Sequence, residues 1–179
     1  MTQKIVVNNN YKTTQTEIKS IIDNFDLIDD YIAKGTRNSI KKKRLESGKI
    51  ASIKSFKIPN IINKFVYRFF RKSKAERSYE YAKELIRLGF LTPYPIAFVE
   101  NKTAVSFRDS YYFCELVKAD LTYRELVEIP TWENRNEILK QFTKFTFDLH
   151  EAGIEFLDHS PGNTLIKQIG DNQYEFYLV

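Results

Sequence analysis

The sequence predicts an α+β fold: a five-stranded antiparallel sheet with a helix, then a shorter, mainly helical part that carries a loop and a β-hairpin. Three observations lead to this expectation. Apolar and polar residues alternate over 31–56, apolar residues recur at helical spacing over 61–88 and 136–151, and turn residues punctuate the stretches between. With 179 residues, 42% of them hydrophobic, the chain can bury a real core as one compact domain or as two small lobes sharing a cleft. No repeat period and no Pro/Gly-rich linker interrupts it, so neither a solenoid nor a disordered tail is expected.

The elements follow in order. Tyr31-Ile32-Ala33 leads into the turn-like Lys34-Gly35-Thr36-Arg37-Asn38, then a strand through Ser39-Ile40 and the basic run Lys41-Lys42-Lys43-Arg44. A second turn at Glu46-Ser47-Gly48 precedes a third strand, Ile50 to Phe56, which completes a meander. In the helix that follows, Ala75, Tyr79, Ala82, Leu85 and Ile86 form an apolar face, and Gly89 and Pro93 end it. Ile96 to Val99 and Tyr111 to Cys114 read as the fourth and fifth strands. Beyond them, 121–127 suggests a short helix and 136–151 a longer one, with Ile138, Phe142, Phe145 and Leu149 on one side and Gly153 as its stop. Thr164-Leu165-Ile166 and Tyr174 to Val179 form the closing hairpin around Gly170-Asp171-Asn172. Residues 1–114 form one part, with an N-terminal extension over about 1–28, and 115–179 form the other.

Composition excludes several functions. The first ten residues lack the apolar core of a secretory signal, and no stretch approaches the roughly 18 apolar residues that span a bilayer, so a soluble cytoplasmic protein is expected. The single cysteine, Cys114, rules out an internal disulfide and a cysteine-rich zinc site, and its apolar neighbours mark it as a core residue. The net charge of +5 gathers in 41–44 and between Lys64 and Arg77, where Phe65, Phe69 and Phe70 interleave with Arg68, Arg71 and Lys72. Such runs attract anions or an anionic membrane surface, or are simply solvated faces. No nucleic-acid reading module accompanies them, so nucleic-acid binding is not expected.

Phosphoryl transfer from ATP needs a cover over the phosphates, a cation to hold them, metal ligands and a carboxylate that accepts the hydroxyl proton. Asp158-His159-Ser160-Pro161-Gly162-Asn163 places Asp158 and Asn163 five positions apart, between a long helix and an apolar strand. That is the spacing at which a kinase loop uses the Asp as catalytic base and the Asn as metal ligand. Lys54 ends the apolar run Ile50 to Ile53, one strand after a glycine-containing turn, and suits a phosphate clamp. Its carboxylate partner would come from the next helix, where Glu80 is favoured over Glu84 one turn on. Gly35 and Arg37 are candidates for the phosphate cover, and Glu115 and Val117 for backbone contacts to adenine.

The stretch 148–165, Asp-Leu-His-Glu-Ala-Gly-Ile-Glu-Phe-Leu-Asp-His-Ser-Pro-Gly-Asn-Thr-Leu, resembles the lipopolysaccharide core kinases, the bacterial Kdo and heptose kinases related to protein kinases. Lys-Gly-Thr-Arg-Asn at 34–38, Ile-Lys-Ser-Phe-Lys at 53–57 and Ser-Lys-Ala-Glu-Arg-Ser-Tyr-Glu at 73–80 share in it, and the similarity spans 31–179. The resemblance implies a protein-kinase-like fold, with 1–114 as N-lobe and 115–179 as hinge and start of the C-lobe. It implies ATP- and Mg2+-dependent phosphorylation of an inner-core sugar hydroxyl, with peripheral contact at the cytoplasmic face of the inner membrane. By position, Asp158 becomes the base, Asn163 a metal ligand, Lys54 the clamp, Glu80 its partner and Gly35 part of the cover.

Two departures stand out. Phe156-Leu157 takes the place of His-Arg before the catalytic Asp, and a kinase's metal-binding Asp is expected directly after Phe176-Tyr177-Leu178-Val179, where the chain stops. The expectation is a C-lobe truncated there and inactive as it stands. A non-catalytic pseudokinase or nucleotide-binding module, and a kinase with a protein or small-molecule acceptor, are the competing readings.

Overall fold

The computed structural model describes residues 2–35, 38–57, 72–104, 106–157 and 160–179. The chain divides into two compact units, Met1–Lys83 with Tyr94–Leu116, and Glu84–Pro93 with Val117–Val179.

The first unit is built on a six-stranded antiparallel sheet in the order β1-β5-β6-β4-β3-β2. Its strands are β1 (Thr2–Val7), β2 (Tyr31–Lys34), β3 (Asn38–Arg44), β4 (Ile50–Lys57), β5 (Pro95–Lys102) and β6 (Phe107–Glu115). Period-two alternation in β4 turns Ala51 and Ile53 to one face, and Ser52, Lys54 and Phe56 to the other. On the first face α1 (Gln15–Asp23) buries Ile18, Ile21 and Ile22 against Ala51, Ile53, Ile96, Val99 and Phe113. On the second, α2 (Lys74–Arg87) sets Ala75, Tyr79 and Ala82 on Phe56, Phe98 and Tyr112. Burying side chains of this size is worth roughly 1.5–3 kcal/mol each, so both helices are held by packing more than by propensity. Ser73 caps α2 by accepting from the Glu76 N–H at 3.0 Å.

Two expectations change here. The sheet has six strands instead of five, because the N-terminal residues supply β1, which pairs with β5 from Thr2↔Lys102 to Val7↔Ala97. Residues taken as an extension thus form a sheet edge and one core layer. The basic run of β3 is also not uniformly solvated: Lys41 is buried, donating to the Phe25 carbonyl at 2.9 Å with its ammonium 4.5 Å from the Phe25 ring centroid and 4.6 Å from that of Tyr31. Two aromatic faces and a carbonyl replace the water lost by the cation. For the expected helix over 61–88, the described part is α2, and 58–71, with Arg68 and Arg71, lies outside the described residues.

The second unit holds a three-stranded sheet, β7 (Leu121–Thr122), β8 (Thr164–Gly170) and β9 (Gln173–Leu178), in the order β7-β8-β9. The expected hairpin is therefore joined by a third, very short strand, and α3 (Tyr123–Glu128) starts two residues later than the sequence suggests. Thr122 ends β7 and caps α3 in a reciprocal box with Glu125, so strand and helix meet in one residue. The long helix α4 (Arg135–Glu151) packs Ile138, Phe142 and Phe145 on a core of Leu121, Leu126, Ile166 and Phe176. It ends as its glycine predicts: Gly153 has φ +75°, and Ile154 N–H returns to the Leu149 carbonyl at 2.9 Å. Among the described residues no helix is long and apolar enough to cross a membrane.

Candidate functional site

The candidate residues fall in two groups, one in each unit. In the first, Lys54 lies on the sheet face that α2 covers, as strand alternation requires, directly opposite Tyr112 of β6 and with its ammonium 5.6 Å from the Phe56 ring centroid. Among the described residues, the rings of Phe56 and Tyr112 are its neighbours on that face. Burial raises the Tyr112 hydroxyl well above its usual range, and raises the Cys114 thiol to about 12 even though the Lys54 charge pulls the other way. Glu80 lies on α2, but its carboxylate accepts from Lys72 at 2.6 and 2.8 Å, and Glu84 pairs with Arg87. The structure thus joins Glu80 to a lysine eight residues earlier, and not to Lys54. Lys72 precedes the first turn of the same helix, within easy reach.

Gly35 directly follows β2. Its N–H donates to the Asn38 carbonyl at 3.0 Å, and a Cβ there would sit 2.9 Å from that same oxygen, so only glycine fits without a shift of backbone. Arg37, the other cover candidate, lies outside the described residues.

Glu115 closes β6, and Val117 begins the second segment of the second unit. The Glu115 N–H donates to the Tyr94 carbonyl and the Leu116 N–H to the Ile50 carbonyl, each at 2.8 Å. Neighbouring strands on both sides therefore hold this strand end. In extended backbone the N–H and C=O of one residue leave by the same edge, which sends the Glu115 carbonyl along the edge that meets Tyr94. The Glu115 side chain turns to the α1 face, where it accepts from the Tyr11 hydroxyl and, at 2.6 Å, from Lys49. Lys49 also donates to the Tyr11 oxygen at 3.0 Å. Burial works to raise the Glu115 carboxyl, but the bonds from Lys49 and Tyr11 outweigh it and bring it below its ordinary value. Lys49, bonded to Glu115, is raised in turn.

In the second unit, Asp158 and His159 lie outside the described residues, and the loop is described from Ser160 onward. Pro161–Asn163 makes one 3-10 turn, closed by Asn163 N–H on the Ser160 carbonyl at 2.9 Å. The Asn163 Nδ2 donates to the Ser160 hydroxyl at 2.8 Å, with Oδ1 as the other end of the amide. That Oδ1 is the donor type a hard divalent cation takes. The Asn163 carbonyl accepts from the Val179 N–H at 3.1 Å, so the end of β9 runs beside the candidate ligand. Among the described residues no three His, Cys, Asp or Glu side chains gather as a ready-made metal cluster.

Sequence reasoning missed Tyr11 and Lys49. Tyr11 looks like one more aromatic in a polar stretch, and only the folded chain brings it to a residue 104 positions away.

No protein-family model matches the chain, and no curated protein does. The solved structures do contain its fold. A structure of WaaP in complex with acyl carrier protein superposes with a TM-score of 0.60 at 14% sequence identity, over 98% of this chain and 69% of that one. The likeness is one of fold: an antiparallel sheet with flanking helices, followed by helices and a smaller sheet.

Proposed function

We propose that the chain carries the nucleotide-binding and catalytic-loop residues of an ATP-dependent kinase that phosphorylates a sugar hydroxyl of the lipopolysaccharide inner core, on Kdo or heptose. The loop 158–163 carries this reading: an Asp and an Asn five positions apart, leading directly into the β8–β9 hairpin of a chain that shares its fold with WaaP.

In the reaction Asp158 accepts the proton of the acceptor hydroxyl while that oxygen forms its bond to the γ-phosphorus. The bond from the γ-phosphorus to the β–γ bridging oxygen breaks, and ADP leaves. Lys54 holds the phosphates by charge, and Gly35 lets backbone approach them. Glu115 and Val117 offer backbone groups to the adenine edge. Mg2+ bound with the nucleotide would neutralise phosphate charge, and Asn163 would hold it through its amide oxygen.

The test is phosphate transfer from ATP to inner-core acceptor by the full-length protein and by its Asp158→Asn variant. Nucleotide affinity should stay near wild type while turnover falls roughly 10²–10⁴-fold, the usual contribution of a positioned base. A variant that keeps more than about half the wild-type rate would remove Asp158 from the role.

A further inference from the structure

The Tyr11, Lys49 and Glu115 side chains lie on the sheet face opposite Lys54, and none of the chemistry above uses them. They come from three separate segments. Tyr11 belongs to the 3-10 segment Asn9–Thr14, Lys49 directly precedes β4, and Glu115 ends β6. Together with Asn10, Ser47 and Tyr94 they line a cleft of about 350 Å3.

An exposed ion pair alone would count for little, and the Lys49 side chain is 55% exposed. The Tyr11 ring differs: it is 5% exposed, packed in the core with Ile18 and Ile22, so its hydroxyl is placed by packing and not by its own search. The same segment grips a second point of the strand end. Asn10 Nδ2 donates to the Tyr94 hydroxyl at 2.6 Å, and Tyr94 is the residue whose carbonyl receives the Glu115 N–H. Lys49 likewise precedes Ile50, whose carbonyl receives the Leu116 N–H. Residues 115–116 are therefore fixed through main chain by Tyr94 and Ile50, and through side chain by Tyr11 and Lys49. Charge-assisted bonds to a carboxylate are about twice as strong as neutral ones, so this second grip is a stiff one.

We propose that Tyr11 and Lys49 are positioning residues for nucleotide recognition, holding Glu115 from the far face of the sheet and so setting where its carbonyl meets the adenine edge. The proposal rests on the kinase reading. It gives the N-terminal segment a part in base selectivity without any contact to the nucleotide. A carbonyl accepts from the amino group of adenine and is mismatched to the oxygen that guanine carries at that position. Loosening Glu115 should therefore hurt ATP more than GTP.

The experiment measures dissociation constants of ATP and GTP, both with magnesium, by calorimetry on the full chain and on Tyr11→Phe, Lys49→Met, Glu115→Gln and the Tyr11→Phe/Glu115→Gln double variant. Tyr11→Phe keeps the buried ring and removes only the hydroxyl. Circular dichroism reports the folded fraction of each variant. The expected result is a wild type that prefers ATP and single variants in which that preference falls about threefold to tenfold, the worth of one hydrogen bond. The double variant should lose little more than either single one. Equal weakening of both nucleotides, as a smaller folded fraction would give, overturns the proposal, and so does an unchanged preference. A wild type that binds neither nucleotide overturns the kinase reading itself, and the positioning role with it.

Discussion

Cys114 shows how far the surroundings of one side chain set its chemistry. It faces α2 with its Sγ 3.9 Å from the Ser52 carbonyl, half-buried beside Tyr112. Burial lifts the thiol to about 12 against the pull of Lys54. The thiolate is the reactive species, so the native protein should react with iodoacetamide at pH 8 on the order of 10³-fold more slowly than the urea-unfolded chain. Mass spectrometry of a labelling time course measures this, and equal rates would contradict the placement of the thiol. The sequence marked Cys114 as a core residue from its apolar neighbours, and the structure places it half-buried at the margin of the α2-side cluster. It could not mark Lys41 as buried, because a lysine is readable as interior only once the rings of Phe25 and Tyr31 are brought around it.

At the scale of elements, legibility followed the range of the interactions. The meander β2–β3–β4 could be read because alternation and turn residues lie within a few positions of each other. The stop of α4 could be read because Gly153 is its own signal. β1 could not, since its partner strand lies far along the chain, and neither could β7, whose two residues are too few to show a period. The local signal at α3 is its capping box. Thr122 accepts from Arg124 N–H at 3.2 Å, while the Glu125 carboxylate accepts from Thr122 N–H at 2.6 Å. Thr122→Ala should cost about 1 kcal/mol in urea unfolding. An unchanged midpoint would mean that β7 pairing alone holds the start of the helix. Of the candidate site, the place of Asn163 directly before the hairpin was legible, because loop and hairpin adjoin in sequence. The partner of Glu80 could not, as a helix face presents several carboxylates and the choice is made by whichever cation is near.

At the scale of the molecule, the six-stranded sheet depends on its N-terminal strand in a testable way. β5 is buried over almost its whole length, and β1 covers the edge it would otherwise expose. A variant lacking residues 2–7 loses Ile5 and Val7 from one core and Val6 from the other. With three apolar side chains partly buried, the loss should be at least about 3 kcal/mol, with light scattering rising as bare edges pair between molecules. Denaturant unfolding of the two forms measures it, and matching midpoints would show that the strand carries no stability.

The pairing of β1 with β5 also sets an order of events during synthesis. Its partners lie between 90 positions apart, Val7 with Ala97, and 100 apart, Thr2 with Lys102. At about 5–20 residues per second, β1 waits on the order of 5–20 s on the ribosome for the strand that receives it. α1 waits as well, because Ile18, Ile21 and Ile22 share their cluster with Ile96, Ala97 and Val99. Of the described strands, the first to be translated is thus among the last to dock, and closing so long a loop makes this step slow compared with the local β3–β4 pairing.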